Sequence, residues 1–448
     1  MLDLFVRLNY SILFSLFLIL TCLSNTNANE TVAHQVNLPI WDSPENKDFI
    51  YKNPGMYQSL QLSKSFYQFS HYSLQQIWGD NTTESLIAII LFDTIATWLP
   101  LSNSWLHEEW HRNILSQYGF DSRNGVYDFN WFSDVIAVDH VSDEDLALLK
   151  EKHPQDMIRL HSAGLESQAL LNLSIEKDKF YNESKSFDYM LLWFNTINSL
   201  AYMNACSTSE ANTITKNILD GEDENIDNRD FTGLDCNAWV YDLFRPEEPY
   251  SSRGTHPSGI GINRYITYDK LNNEEKRFLR KQYYLHFLNF INPFLLSMDN
   301  FHLPEKYSSR DILWNTNLQH FINPFGYSIH WNIFAKTPNH KLFFTFKNYF
   351  NKNSYFPGFV ASLIDKPIAT KTKLSIESNV WQQPEALSFT TNKGEWGGSL
   401  AASLKYKLNN YFILYSNISY KTKGWLEAYT SLDKDTYMQA GILINRFE

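Results

Sequence analysis

From about residue 312 onward, apolar and polar residues alternate with a period of two, and a chain written this way has few folds open to it. In 327–333, Tyr327, Ile329, Trp331 and Ile333 alternate with Ser328, His330 and Asn332. In 372–380, Leu374, Ile376 and Val380 alternate with Lys373, Ser375, Glu377 and Asn379. The pattern returns in 399–408 (Leu400, Ala402, Leu404, Tyr406) and in 437–447 (Met438, Ala440, Ile442, Ile444). Asn409-Asn410 is a hairpin signal between two of these runs. About eight to ten strands of this kind fit between 314 and 447, joined by short polar turns.

Two architectures satisfy such a pattern. A soluble antiparallel sheet turns its apolar face inward. A membrane barrel turns it outward to lipid and keeps the polar face in the lumen. Long segments, short turns and aromatics near strand ends (Tyr349, Phe350, Trp381, Tyr411, Phe412, Tyr420, Trp425, Phe447) favour a small outer-membrane barrel. Phe447 lies close to the terminal aromatic expected of such a barrel, although Glu448 follows it.

The N-terminus fits export. Arg7 precedes an apolar run from Ile12 to Leu20, and Thr26-Asn27-Ala28 supplies the small residues of a cleavage site. Cleavage after Ala28 removes Cys22 and leaves Cys206 and Cys236, which an oxidising compartment would let pair. A net charge of -11 argues against nucleic acid as a partner, because phosphate binding needs a basic face.

Between export signal and strands the pattern is helical. Residues 84–99 form an apolar segment carrying Asp93, expected to be a helix buried on most sides against the helix that follows. In that next helix, residues 100–119, Ser102 or Ser104 can cap the start and Gly119 the end. Further helices are expected from Ser142, over 154–175 and 186–205, and from Asn272 to Pro293. The stretch 253–261 is turn-rich.

The 100–119 helix contains His107-Glu108-Glu109-Trp110-His111. Residues four apart share a helix face, so His107 and His111 can offer two imidazoles to one metal ion, with Glu108 placed to polarise a water. A catalytic zinc takes a third protein ligand. Glu166 is the first choice, because the small pair Ala163-Gly164 would let its helix approach closely. His161 and His140 are the rivals. Asp93 is a candidate to orient a ligand histidine.

His107-Glu108-x-x-His111 followed by a glutamate on a later helix resembles the zincin metallopeptidases, in their gluzincin arrangement. The resemblance covers the motif helix and, loosely, 154–175; no Asp follows Glu166 at one helical turn, where Leu170 stands. It implies that His107, His111 and Glu166 bind Zn2+ and that Glu108 is the general base of water activation. A second electrophile is then needed for the developing oxyanion, and Arg253, His256 and Tyr265 in the turn-rich stretch are candidates, His256 foremost.

The expectation is an α+β chain: a signal peptide over 1–28, a mostly helical zincin-like domain over 29–312, and an antiparallel β-domain over 313–448. The function expected is a zinc-dependent hydrolase of the cell envelope acting on a peptide or protein, held at the outer membrane by the β-domain, with its enzymatic part periplasmic or at the surface. The rival is a non-catalytic outer-membrane barrel whose helical part is structural or binds a partner.

Overall fold

A computed structural model describes residues 34–43, 53–79, 82–129, 136–182, 188–222, 225–303 and 312–446. The expected export signal over 1–28, with Cys22, and the terminal Phe447 and Glu448 lie outside the described residues.

The fold is α+β. After a first strand β1 (His34–Ser43) come α1 (Met56–Trp78), α2 (Thr83–Ala96) and α3 (Asn103–Gln117). A two-residue pairing of β2 (Arg123–Asn124) with β3 (Val138–Asp139) leads to α4 (Asp143–Lys152) and the long α5 (Pro154–Asn182). The remaining helices are α6 (Tyr189–Cys206), α7 (Glu210–Gly221), α8 (Asp235–Phe244) and α9 (Asn273–His286). Then follow β4 (Phe301–His302), β5 (Leu313–Asn323), β6 (Gly326–Lys336), β7 (Lys341–Phe350), β8 (Tyr355–Ala369), β9 (Thr372–Pro384), β10 (Gly394–Lys407), β11 (Phe412–Lys421) and β12 (Asp435–Arg446).

The strands form one antiparallel sheet in the order β1-β12-β11-β10-β9-β8-β7-β6-β5-β4. All but the first join are between chain neighbours, as short hairpins require. Asn409 makes one of these turns, its side chain accepting from the N–H groups of Tyr411 and Phe412. The exception is β1: the extended lead-in crosses the whole chain to pair with the last strand, His34 opposite Arg446 and Ser43 opposite Met438. The sheet therefore draws two strands, β1 and β4, from before residue 313. It does not close, because β1 and β4 remain its two ends.

The two faces of the sheet differ in polarity. On β6, Ser328, His330 and Asn332 are buried while Trp331 between them is exposed. Thr345 and Lys347 on β7 are likewise buried and Phe346 is exposed. The same face carries exposed Leu400 and Leu404 on β10, Leu414 and Ile418 on β11, and Leu38 and Ile40 on β1. The period-two pattern is thus realised apolar side out.

The helices follow ordinary packing. Trp105, Leu106, Trp110 and Ile114 of α3 share a buried core with Met157, Leu160 and Ala163 of α5. Continuing past α3, α5 reaches the polar face of the sheet, where Glu176 accepts from Asn292 and Asn317, each at 2.6 Å. The expected burial of α2 on most sides is corrected. It packs on α1, with Phe92 against Phe66, and leaves Ile87, Leu91 and Ile95 exposed. Cys206 at the end of α6 and Cys236 at the start of α8 form a disulfide.

Candidate metal centre

Ser102 starts α3, its hydroxyl accepting from the Trp105 N–H at 3.2 Å, and Gly119 follows its end in a left-handed conformation. On this helix His107 and His111 lie one turn apart with ring centroids 4.9 Å from each other. Both rings face α5, and that helix comes so close that a Cβ at Gly164 would sit 2.2 Å from His107 Nε2. The small pair on α5 does allow the approach expected of it.

The carboxylate brought to the histidines is not Glu166. Residues two apart on a helix point to nearly opposite sides, so Gly164 at His107 turns Glu166 away. Glu166 is fully buried in an ion pair with Arg159 at 2.9 Å. It also accepts from Trp425 Nε1 at 3.2 Å and from the Ala428 N–H at 3.0 Å. It anchors the loop before β12 to α5.

Asp235 takes the third place. Its Oδ2 lies 2.9 Å from His107 Nε2 and 3.4 Å from His111 Nε2. A nitrogen from each histidine and a carboxylate oxygen of Asp235 all lie within 4.8 Å of one another. Asp235 stands in the first turn of α8, its N–H donating to Tyr202 Oη at 2.9 Å. The neighbouring disulfide ties α8 to α6. The His111 tautomer is set by the backbone: Nδ1 donates to the Leu160 carbonyl at 2.5 Å, which leaves Nε2 as the lone-pair nitrogen. Among the described residues that buried Nε2 makes no hydrogen bond and faces Asp235 Oδ2 at 3.4 Å, an arrangement that a cation between them would satisfy.

Charge in the site favours a cation. Burial works against ionisation of Asp235, but the two imidazoles outweigh it and hold the carboxyl well below the usual range. Burial pushes His107 down, only partly offset by Asp235, which favours the neutral, ligating form. Burial also acts downward on His111, yet Asp235 and the Leu160 carbonyl outweigh it and raise that imidazole. Glu108 is raised well above the usual range by burial and then by the nearby carboxylates Asp235, Asp230 and Glu109. Glu109 is held apart by Arg112 at 2.8 Å and Asn124 at 2.9 Å.

The other candidates are engaged elsewhere. His161 is bonded to Asp242 at 3.0 Å and to Thr232 at 3.0 Å, and Asp242 in turn holds Arg253 at 2.8 Å. His140, in a left-handed conformation, bonds Asp139 at 2.8 Å. His256 has both ring nitrogens occupied, by Glu222 at 3.1 Å and Ser258 at 3.0 Å, and Tyr265 bonds the same Glu222. None of them, nor Arg253, belongs to the His107–His111–Asp235 cluster. Asp93 orients no motif histidine: it bonds His71 of α1 at 2.7 Å.

Sequence reasoning missed Asp235. A usable signal was its place directly before Cys236, one of the two cysteines expected to pair. That disulfide is what fixes the start of α8 beside α6.

No family model matches the chain, and no curated protein or solved structure matches it.

Proposed function

We propose that this chain is an exported zinc-dependent hydrolase, of metallopeptidase type, attached to the outer membrane by its sheet. The observation that carries the hydrolase reading is the convergence of His107, His111 and Asp235, whose ligand atoms lie within 4.8 Å of one another, with Glu108 directly after the first of them on α3. Two imidazoles and one carboxylate are the donor set of a catalytic zinc that keeps an open position. A zinc ion held there supplies Lewis acidity. Glu108, kept from ready ionisation by burial and neighbouring charge, is the group to hold or move a proton. His107, whose side chain is 13% exposed, marks the accessible side, while His111 and Asp235 are buried.

The membrane reading is supported by the apolar outer face of the sheet. Side chains such as Trp331, Phe346, Leu404 and Ile418 are exposed there, whereas the enclosed face mixes polar Asn332, Ser328, His330 and Lys347 with buried aromatics such as Phe334, Tyr349 and Trp381. That polarity suits lipid outside and water or polar groups inside. A small barrel-like body is the form proposed for it.

A second reading is favoured by the burial of the centre: a metal that clamps α3, α5 and α8 without hydrolysis. Metal analysis and one variant separate the two. Purified chain is expected to hold one zinc, and Asp235→Ala to lose it. Glu108→Gln keeps the metal and lowers turnover of a quenched fluorescent peptide mixture by about 10²–10⁴-fold. Zinc in both forms with no turnover in the native chain leaves the structural clamp. No zinc in the native chain removes both readings.

A further inference from the structure

An open sheet is a poor neighbour for lipid, because the backbone groups of its end strands find no water there. In this molecule backbone groups near both ends are bonded by the helical part. At β1, Ser65 of α1 accepts from the Asn37 N–H at 2.9 Å and donates to the Asn37 carbonyl at 2.7 Å. Gln58, also on α1, donates to the Pro39 carbonyl at 3.3 Å. At the other end β4 covers only Leu313 and Trp314 of β5. Beyond them, the Leu318 N–H donates to the Ile291 carbonyl at 3.0 Å. Asn289 accepts from the His320 N–H at 2.6 Å and donates to its carbonyl at 3.2 Å.

These two seals are joined. His71 of α1 bridges Asp93 of α2 at 2.7 Å and Asp188, at the start of α6, at 2.8 Å. Trp193 of α6 donates to the Leu295 carbonyl at 2.6 Å, and Tyr189 to Asp299 at 2.5 Å. A continuous path of contacts thus runs from β1 through α1, α2 and α6 to residues 289–299 and β5.

The outer side of this path is apolar as well. Ile87, Leu91 and Ile95, spaced by four on α2, are exposed, as are Ile291, Leu296 and Met298. Between Ser85 and Ala96 the one ionisable residue is Asp93, and it is buried against His71. No helix among the described residues is long and apolar enough to cross a membrane by itself. At 14 residues α2 spans about 21 Å, close to the apolar band of about 25 Å around an outer-membrane barrel.

We infer that the helical segment completes the wall that the strands leave open, and that α2 with residues 291–298 faces the acyl chains of the same bilayer as the sheet. The occupant of this helical face is lipid, because the face is apolar like the outer surface of the sheet and carries no exposed charge on α2 after Glu84. The inference rests on the membrane reading of the sheet.

The test compares positions on the two halves of the wall. In the full chain with Cys22→Ser, single cysteines replace Leu91 on α2, Leu404 on β10, or Lys216 on α7. Each is labelled with an environment-sensitive fluorophore, Cys206 and Cys236 being held in their disulfide. The chains are reconstituted into phosphatidylcholine vesicles with or without bromine on the acyl chains. Bromolipid is expected to quench the labels at 91 and 404 to a comparable extent and to leave that at 216 unchanged. Quenching at 404 without quenching at 91 overturns the composite wall and leaves the membrane sheet standing. No quenching at either position overturns both. Equal quenching at all three shows non-specific adsorption and overturns the inference too.

Discussion

The helical region and the sheet solve opposite problems with the same kinds of residue. Around α3 the large apolar side chains Trp105, Trp110 and Ile114 are buried, and His107 and His111 are gathered with Asp235 into one cluster. In the sheet the order is reversed: Asn332, Thr345 and Lys347 are enclosed and bonded to one another or to Glu427, while Trp331 and Phe346 are exposed. The first arrangement is that of a chain folded against water; the second is the one that the proposed membrane setting of the sheet calls for. One helix, α5, belongs to both, with Gly164 under His107 and Glu176 bonded to Asn317 of β5.

Cutting the link between the regions should have the largest effect. Glu166→Ala leaves Arg159 buried without its carboxylate and strips the loop at 425–428 of its acceptor. A loss of about 3–5 kcal/mol is expected in denaturant unfolding. The folded fraction should still bind zinc stoichiometrically, since Glu166 is not a ligand; zinc loss in folded Glu166→Gln would restore it to the centre. Next, Leu404→Arg on the outer face is expected to cost about 2–4 kcal/mol when the chain is refolded into bilayers. A neutral result there would erase the contrast between the two regions.

A smaller effect depends on pH. Burial pushes Asp156, in the first turn of α5, up to about 6, against a hydrogen bond with Tyr118. The folded chain then keeps a proton that the unfolded chain releases near its ordinary value of about 4. This group favours folding below about pH 4, and that contribution is lost as pH rises through about 6. Asp156→Asn should match the native chain in unfolding midpoint below pH 4 and exceed it above pH 6; parallel curves at all pH values would show that folding leaves the Asp156 carboxyl unshifted. Smallest is Ser102→Ala, which removes the cap of α3 and should cost about 1 kcal/mol with zinc retained.

Local order was legible in the chain. Period two gave the strands, and caps gave the helices: Ser102 for α3, Ser142 for α4, and Asn272 with Glu275 for α9. The spacing of His107 and His111 put two imidazoles on one side of α3, because a helix repeats its faces within its own few residues. What lay far apart was not legible. Asp235 reaches the histidines from more than a hundred residues away, through a disulfide and the packing of α8. Glu166 was offered by the same proximity argument, but two residues of helix rotation decided against it. Strand β1 pairs with β12 across almost the whole chain, and no local signal records such a partner.

The sequence by itself therefore determined the helix that carries His107, Glu108 and His111, and the alternation of the strands. Both are short-range consequences of backbone geometry. Only the tertiary structure decided which carboxylate meets the histidines, which face of the sheet turns outward, and which helical residues bond its end strands. Those choices are set by contacts between segments distant in the chain, where burial, hydrogen bonding and the surrounding solvent outweigh local preference.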